Sequence, residues 1–509
     1  MRKLICITLL GMAVLCPPLQ AQEVQGDTLT VSGRQLIYLW GTHSERGFAL
    51  GYLMGEPIRE IFEQYFLGYY LNGSLPGYNY LHGYFSDHFQ LEQKYQLEAE
   101  GIVEGMLAAG NDPYCELLER EVDATDILDV NAIVDYAALS REPEVGPLPH
   151  LGCSSLSSWG AATMLDPWLQ GELVFTRLMD WSPHSVLHAN HLLVIQLPSE
   201  LDEQPWISFT FPGLIGALSA VNASGVGAFL NMGNYHTGSA AELLHPALLS
   251  VRNGIEAADY DQSGQCDPGD PAAALMDQHQ RSGVLVHLLD ALPGDARIIE
   301  CNNALGQVLR DQADNTVIPG DNLVATNHFR LLYTPSWCYR YENILDSLLS
   351  DPDISATRQW DLLGGAAGTW SNLHAIQYTP ATGRLLWGIS SNEQAGYQEV
   401  PVEFFLDELL SYEAVLQRPV PLPAGIRFEL YPNPANGEFR LQFALPEPAT
   451  VSVAIYNLLG QEVERLLDER CDAGVRSVDW KATDQPSGLY IASLTAGGDR
   501  LTLKMLLLK

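Results

Sequence analysis

Apolar residues recur at helical spacing between residues 44 and 140, most regularly over Glu56 to Tyr70 and Gln90 to Ala109. This periodicity predicts a largely helical N-terminal region. From Cys153 to about Ala228 the pattern changes to short alternating or wholly apolar runs, among them Leu192 to Leu197 and Trp206 to Phe211, which read as strands. Gly216 to Val226 reads as two strands around an Asn-Ala-Ser-Gly turn. Helical spacing returns at Ala272 to Leu292 and at Tyr341 to Leu349. Strands at Ala375 to Tyr378 and Leu385 to Ile389 flank a Thr379-Pro380-Ala381-Thr382-Gly383 turn. Strands, helices, then strands predict an α+β domain with helices layered on sheets.

The two ends differ from this middle. Residues 1–21 carry a basic start at Arg2 and Lys3, an apolar run from Leu4 to Leu15 and a Leu19-Gln20-Ala21 cleavage site, the marks of a secretory signal peptide. The apolar run is too short to span a bilayer, and no other transmembrane candidate follows. Leu15 and Pro17 around Cys16 argue against a lipoprotein signal. A Pro-rich stretch from Pro419 to Pro423 marks a linker over 416–426, and short alternating strands fill 427–509.

Charge narrows the possible partners. The 509 residues hold 27 Lys and Arg against 62 Asp and Glu, a formal net charge of -35. This excludes phosphate-backbone binding, which needs clustered cations, and docking on anionic lipid. Between the signal peptide and the C-terminal module the sole lysine is Lys94.

The candidate chemistry lies at Leu151-Gly152-Cys153-Ser154-Ser155, followed by Thr176-Arg177-Leu178-Met179-Asp180-Trp181. A cysteine that becomes a first residue by cleavage after Gly152 gains an α-amine titrating near ~7.7–8.0. That amine can serve as the general base of its own thiol. Gly152, without a Cβ, can enter the strained conformations that let a thiol attack the preceding carbonyl. Arg177 would favour the thiolate, and Asp180 would orient the new amine and hold Arg177. Side chains three apart on a strand point oppositely, so the strand is expected to bend or end near Met179, with Trp181-Ser182-Pro183 as the stop. Taken alone, Cys153 also reads as a small buried hydrophobe.

With Asn222 in the Asn-x-x-Gly turn, Asn327 in Val324-Ala325-Thr326-Asn327-His328-Phe329, and Arg340, the chain resembles the cysteine N-terminal-nucleophile hydrolases. The likeness is to the acyl-CoA:6-aminopenicillanate acyltransferase-like family, related to acid ceramidase and bile-salt hydrolase. It covers roughly residues 35 to 410, including Gly41-Thr42-His43-Ser44-Glu45-Arg46-Gly47 and Glu100-Gly101-Ile102-Val103-Glu104-Gly105, which resemble the family's pro-segment. The resemblance implies a four-layered αββα sandwich over 153–415 behind a helical pro-segment at 22–152. It also implies catalytic roles for Cys153, Arg177, Asp180, Asn222, Asn327 and Arg340, the two asparagines donating to the oxyanion. His328 is read as structural, because the α-amine already supplies the base. Leu430-Tyr431-Pro432-Asn433-Pro434, Tyr456-Asn457-Leu458-Leu459-Gly460 and Ser487-Gly488-Leu489-Tyr490 resemble the C-terminal sorting domain of the type IX secretion system. A small β-sandwich at 427–509 and export to the surface of a Gram-negative bacterium follow from that likeness.

One insertion carries a motif of its own. Asp259, Asp261, Ser263, Gln265, Asp267 and Asp270, with Gly264 at the sixth position, follow the spacing of a helix-flanked calcium loop and resemble its dockerin variant. Its other reading is a solvated acidic loop. A structural calcium is therefore the expected cofactor, with none for catalysis. Export permits disulfides, and Cys266 with Cys301 is one candidate pair among several. The sequence as a whole predicts an exported, self-processing amidohydrolase or acyltransferase acting on a small amide-containing acyl substrate. The contrasting class is a non-catalytic surface protein that binds a ligand on an enzyme-like scaffold.

Overall fold

The computed structural model describes residues 24–508 except 150–151, 234–242, 291–295, 315–316, 392, 412–425, 432–434, 436, 446–447, 459, 472–473 and 484. The expected signal peptide and the Pro-rich stretch at 419–423 lie outside the described residues. The chain divides into two compact units, 1–412 and 413–509, against an expected boundary after 415. Among the described residues no helix is long and apolar enough to cross a membrane.

The first unit opens with the hairpin β1 (Gly26–Val31) and β2 (Arg34–Gly41), turned by Ser32 and Gly33, both at positive φ. Then come α1 (His43–Glu60), a π-helical stretch Ile61–Tyr70, α2 (Leu75–His88), α3 (Gln93–Ala108), the short pair β3 (Tyr114–Cys115) and β4 (Arg120–Glu121), α4 (Ala124–Asn131) and α5 (Ile133–Tyr136). The second stretch runs β5 (Gly152–Ser158), β6 (Val174–Asp180), α6 (Ser185–Ala189), β7 (Leu192–Pro198), β8 (Trp206–Thr210), β9 (Ser219–Asn222), β10 (Gly227–Met232), α7 (Ala247–Glu256) and α8 (Gly269–Asp277). It continues through β11 (Val284–Leu289), β12 (Ala296–Asn302), β13 (Gly306–Arg310), β14 (Asn322–Ala325), α9 (Tyr339–Ser350), α10 (Ala356–Ala367), β15 (Asn372–Thr379), β16 (Arg384–Ile389), β17 (Val402–Phe405) and α11 (Leu406–Leu410).

Two sheets result, in the orders β1-β2-β7-β8-β9-β10-β11-β12-β13 and β14-β5-β6-β15-β16-β17. They face each other: Phe175 meets Phe229 at 4.4 Å between ring centroids, and His287 of β11 pairs with the hydroxyls of Ser155 and Ser157 on β5. Helices α9 and α10 cover the outer face of the smaller sheet, where Tyr341, Ile344, Leu348 and Leu363 pack on Leu156, Val174, Leu178 and Ala375. Helices α1, α3 and α7 share one core with β2 and β10 of the larger sheet. This is the αββα layering expected. Because side chains alternate along β5, Cys153, Ser155 and Ser157 face between the sheets while Ser154, Leu156 and Ser158 face the helices.

Two expectations require correction. The segment 22–152 is not wholly helical, since β2 runs parallel beside β7, from Gln35 opposite Leu192 to Gly41 opposite Pro198. Its continuous Leu36-Ile37-Tyr38-Leu39 run is fully buried, the pattern of a strand covered on both faces. The helix expected at Ala272 to Leu292 ends at Asp277, and the β-branched Val284-Leu285-Val286-His287-Leu288-Leu289 run forms the buried strand β11.

The N-terminal segment is bound into the fold by more than β2. Helices α1 and α3 meet backbone to backbone. A Cβ on Gly47, Gly51 or Gly105 would collide with the carbonyl of Glu98, Ile102 or Phe48 respectively. That approach delivers His43, Arg46 and Glu98 to a buried ionic network with α7. Arg252 bonds Glu98 (Nη2 to Oε2, 2.8 Å) and Glu256 (Nε to Oε2, 2.8 Å), His43 bridges Glu98 (2.6 Å) and Glu203 (2.8 Å), and Lys94 bonds Glu256 and Glu203. Separating the two sides would leave charges unpaired in the interior, which costs several kcal/mol per ion.

The second unit is a small sandwich. Strands β18 (Arg427–Tyr431), β19 (Glu438–Leu445), β20 (Ala449–Asn457), β21 (Glu462–Cys471), β22 (Gly474–Lys481), β23 (Gly488–Ala496) and β24 (Asp499–Leu507) form the sheets β18-β19-β22 and β21-β20-β23-β24. They close on Phe439, Leu441, Trp480 and Leu494.

From this packing, a chain cut after Gly152 should keep its two fragments together through gel filtration at neutral pH. Burial opposes ionisation of Glu98, yet Arg252 and His43 hold its carboxyl down to about 2. Its contribution is therefore full above the unfolded value near ~4.3 and is lost as pH falls through about 2. The fragments should part on acidification through that window, as read by native mass spectrometry. Gly105→Ala should lower the melting temperature by an amount equivalent to about 1–3 kcal/mol of overpacking.

Candidate active site

Strand β5 begins between β6 and β14, pairing Gly152 with Asp180, Cys153 with Met179 and Ala325 with Ser155. Cys153 is 1% exposed. On the inner face Arg177, with no exposed surface, brings Nη2 to 3.2 Å from the Cys153 Sγ. The same guanidinium donates to Ser219 Oγ on β9 and to the Leu230 carbonyl on β10, so it ties the thiol to the larger sheet.

The peptide groups at Cys153 are held from the other face. Its N–H donates to Asn327 Oδ1 at 3.2 Å, and its carbonyl accepts from Arg340 Nη1 at 3.0 Å. Arg340, in the first turn of α9, also donates to Ser154 Oγ (3.0 Å), Asp180 Oδ2 (3.2 Å) and Asn327 Oδ1. Donors converging on Asn327 Oδ1 fix the amide's orientation, and its Nδ2 donates to the Met232 carbonyl at 2.7 Å. Five of the expected residues, Cys153, Arg177, Asp180, Asn327 and Arg340, thus meet at the start of β5.

Asp180 does so in an unexpected way. Strand β6 runs straight to Asp180, the residue before Trp181, and the irregularity falls in its partner β15, between Asn372 and His374. Arg177 and Asp180 keep opposite faces, as period two requires. Asp180 therefore reaches the group through Arg340 and Asn372 Nδ2 (3.3 Å) rather than through Arg177. Gly152 also departs from expectation: it lies in regular strand, and a Cβ there would make ordinary contacts with the Asp180 carbonyl (3.4 Å) and Asn327 Oδ1 (3.6 Å).

Asn222 is not joined to this group. At the end of β9 its Nδ2 donates to the Ile255 carbonyl (3.1 Å) and Cys266 Sγ (3.3 Å), and its Oδ1 accepts from the Val226 N–H (3.0 Å). It closes the turn, as an asparagine before a β-turn glycine does. The amide in the inter-sheet layer is Asn231, between the two β10 residues whose carbonyls hold Arg177 and Asn327. Its Nδ2 lies 3.2 Å from Ser155 Oγ, on the Cys153 face of β5, and its buried Oδ1 finds no partner. Inside the apolar run Phe229-Leu230-Asn231-Met232, an isolated buried amide was the available signal.

Charge at the site is governed by burial. Burial pushes the Cys153 thiol up, Arg177 pulls it down, Asp180 raises it again and Arg340 lowers it, with a net rise. Arg177 thus favours the thiolate as expected, but burial outweighs it in the continuous chain. Asp180 is likewise raised, by burial first, against Arg340, Asn372 and Thr369. Cys338, which caps the N-terminus of α9, goes the other way. Burial raises its thiol, but hydrogen bonding from His328 and from the Tyr341 backbone brings it to about 6. His328, read as structural, thus acts on a second thiol.

The remaining candidate residues lie away from Cys153. Carboxylate oxygens of Asp259, Asp261 and Asp270 lie within 4.8 Å of one another between α7 and α8. Gly264 at φ +85° donates its N–H to Asp259 Oδ2 (3.0 Å), and Asp259 Oδ1 has no partner. Ser263 Oγ donates to the Gln265 carbonyl, Asp267 Oδ1 accepts from the Gly269 N–H, and Asp270 accepts from the N–H groups of Tyr260, Asp261 and Asp267. Three of the six candidate ligands therefore come together. Cys266 and Cys301 are both free thiols, so the candidate disulfide is not formed; Cys266 sits against Gln204 and Asn222, and Cys301 is buried on β12.

No curated protein matches the chain. Among solved structures it is similar to the Caenorhabditis elegans ortholog of N-acylethanolamine-hydrolyzing acid amidase, at 13% identity over 50% of this chain and 100% of that one, with a TM-score of 0.35. It is also similar to conjugated bile acid hydrolase from Clostridium perfringens, at 10% identity over 50% of this chain and 94% of that one, with a TM-score of 0.33. Residues 429–508 match the secretion system C-terminal sorting domain family, which accounts for the second compact unit.

Proposed function

We propose that this chain is an exported, self-processing cysteine N-terminal-nucleophile enzyme that hydrolyses or transfers the acyl group of a small linear amide. The observation that carries the reading is the start of β5: the Cys153 thiol lies on Arg177 while its own peptide N–H and carbonyl are held by Asn327 and Arg340. An inert core cysteine gives no reason to bury a guanidinium against its sulfur, since Arg177 must be desolvated to reach it.

In the first reaction the Cys153 Sγ attacks the Gly152 carbonyl carbon, the Cys153 nitrogen leaves with a proton, and water hydrolyses the resulting thioester. A carboxylate remains on Gly152 and a free amine on Cys153. The amine lies beside Asn327 Oδ1 and close to Asp180. The Gly152 end, no longer tethered, can leave its place opposite Asp180 and uncover the thiol. In turnover the amine takes the thiol proton, the sulfur attacks the substrate's amide carbon, and the amine product departs with that proton. Water or an acceptor amine then receives the acyl group. Asn327 and Asn231 would donate to the oxyanion, Asn327 through the Nδ2 hydrogen left over from its bond to the Met232 carbonyl and Asn231 by turning from Ser155, a contribution worth ~10²–10³ in rate per donor. The C-terminal module directs the chain to the type IX secretion machinery, for release or attachment at the cell surface. A calcium ion held by Asp259, Asp261 and Asp270 would fasten the loop between α7 and α8, outside the chemistry.

Purified protein should yield a fragment beginning Cys153-Ser154-Ser155, seen by N-terminal sequencing. Cys153→Ala should stay uncut, and Asn327→Ala should be cut at least about 10²-fold more slowly. Asn222→Ala should be cut at the ordinary rate but melt lower. An uncut wild-type chain with full amidase activity would overturn the reading, and an uncut chain with no activity would favour the ligand-binding class. Labelling of Cys153 should be read in a Cys338→Ser background, since His328 and the Tyr341 backbone hold that second thiol below its ordinary range.

The opposing charges make a signed pH prediction. Arg177→Leu removes the charge that lowers the Cys153 thiol, so the alkaline limb of the processing rate should move to higher pH. Asp180→Asn removes a charge that raises it, so that limb should move to lower pH, with a maximal rate reduced by about tenfold or more through the loss of Arg340's anchor. Stopped-time gel assays across pH 6 to ~11 would check both directions.

Calcium at a hundredfold excess over its Kd should stabilise the processed protein by about 2.7 kcal/mol. Asp259→Ala with Asp261→Ala should abolish the rise in melting temperature and leave acyl transfer measurable. Indifference to calcium and chelator alike would return the loop to a solvated acidic turn.

A further inference from the structure

Away from Cys153, the start of β2, the helix α6, the residue before β7 and the end of β16 line an open cavity of about 670 Å³. Its polar lining comes from Arg34, Gln35, Ser185, His188, His191 and Ser390, with neighbouring Thr30 and Ser391, and includes no Asp or Glu. In a chain with 62 acidic residues against 27 basic ones, a cavity with one arginine, two histidines and several hydroxyls is an unusual concentration of donors. An acidic group acting on it electrostatically is Glu399, through Arg34.

The donors are also incompletely used. His191 is 5% exposed, and neither ring nitrogen reaches a partner at hydrogen-bonding geometry, although the carbonyls of His188 and Leu373 lie close enough to favour its charged form slightly. Its ring is fixed by packing on Phe211 at 4.8 Å and Trp387 at 6.5 Å between centroids. The buried Nε of Arg34 is unpartnered too, and His188 Nδ1 is held by Ser390 Oγ at 2.8 Å. Unpaired buried donors carry a desolvation cost that an acceptor brought within reach, or an anion nearby, can offset.

We propose that this cavity binds a small oxyanion, a carboxylate or a tetrahedral phosphate or sulfate, gripped by the Arg34 guanidinium and the His188 imidazole, backed by the buried His191 ring and capped by the surrounding hydroxyls. Arg34 supplies the permanent charge, with two parallel donors suited to two oxygens of one anion. His191, with both ring nitrogens covered in the unbound cavity, acts from behind the wall through the charge it gains beside a bound anion. The oxyanion is either a free ion or the carboxylate of an organic acid such as an amide-derived product, and the two sources share this recognition.

Inorganic sulfate and acetate should each be titrated calorimetrically into the processed full chain at constant ionic strength. Saturable binding is expected, weakened at least tenfold in Arg34→Gln and in His191→Phe, a ring that keeps the packing on Phe211 and Trp387. Arg297→Gln, distant from the cavity, should bind as the parent does. Melting temperatures without anion show whether each variant is folded, and Arg34→Gln, a change at a half-buried hairpin position, carries the test if His191→Phe is not. Burial pushes His191 down to about 3, so it starts neutral and an anion beside it should draw in a proton. The binding enthalpy should therefore vary with the buffer's own ionisation enthalpy at pH 5.5 to ~6, and this variation should vanish in His191→Phe. Tighter binding of sulfate than acetate would point to a free tetrahedral ion, the reverse to a carboxylate source. Equal affinities in parent and both variants, or no saturable binding of either probe, would overturn the proposal.

Discussion

Two buried guanidinium groups grip the start of one strand from opposite faces, and the arrangement of the candidate site depends on that grip. Arg177 comes from the inner face and touches the thiol, while Arg340 comes from the helical face and holds the peptide carbonyl, Asp180 and Asn327. Each is desolvated, so each demands acceptors, and the acceptors available are the groups that must be fixed for a thiol to act on its own peptide bond. If either guanidinium were removed, carbonyls and a carboxylate in the interior would lose their donors, at a cost larger than the loss of packing alone.

The same logic operates at larger scale between α1, α3 and α7. Glycines on the two N-terminal helices allow a backbone approach that no side chain would tolerate, and this approach sets His43, Arg46 and Glu98 against Arg252, Glu203 and Glu256. Lys94, the lone lysine between residue 22 and the C-terminal module, is committed to this network. The segment before Gly152 is therefore part of the folded first unit, supplying two strands of the larger sheet as well as His43, Arg46, Lys94 and Glu98 of the ionic network. Cleavage at Gly152 would change the chemistry at Cys153 without dismantling the layers that position it.

Burial also sets the resting state of the nucleophile. A thiol with 1% exposure between two arginines is still held above its ordinary titration range, because desolvation outweighs the nearby positive charge. Burial thus favours a protonated, covered sulfur, and under the proposed function the groups that would activate it, a new α-amine and a freed Gly152 end, would arise together from one bond cleavage. Cys338 shows the contrasting case. At a helix N-terminus with His328 beside it, a thiol is brought down to about 6 despite its own burial.

Local pattern was enough to reveal β7, β8, β15 and β16, the helices α3 and α9, and the short strands of the C-terminal module, because alternation and turn residues are written in contiguous sequence, while the grouping of Cys153, Arg177, Asp180, Asn327 and Arg340 came from the family resemblance. It failed where a signal was shared by two outcomes. The apolar stretch after Ala272 suits a helix or a covered strand, and the Asn222 turn looks the same whether its amide faces a substrate or closes a loop. Gly152 and the spacing of Arg177 to Asp180 suggested strain and a bend that regular strand geometry did not need. Asn231, the parallel pairing of β2 with β7, the free Cys266 and Cys301, and the ionic network across α3 and α7 were decided by tertiary structure alone. Each depends on which distant segments are brought into contact, and that is a property of how the sheets and helices stack rather than of any one stretch of chain.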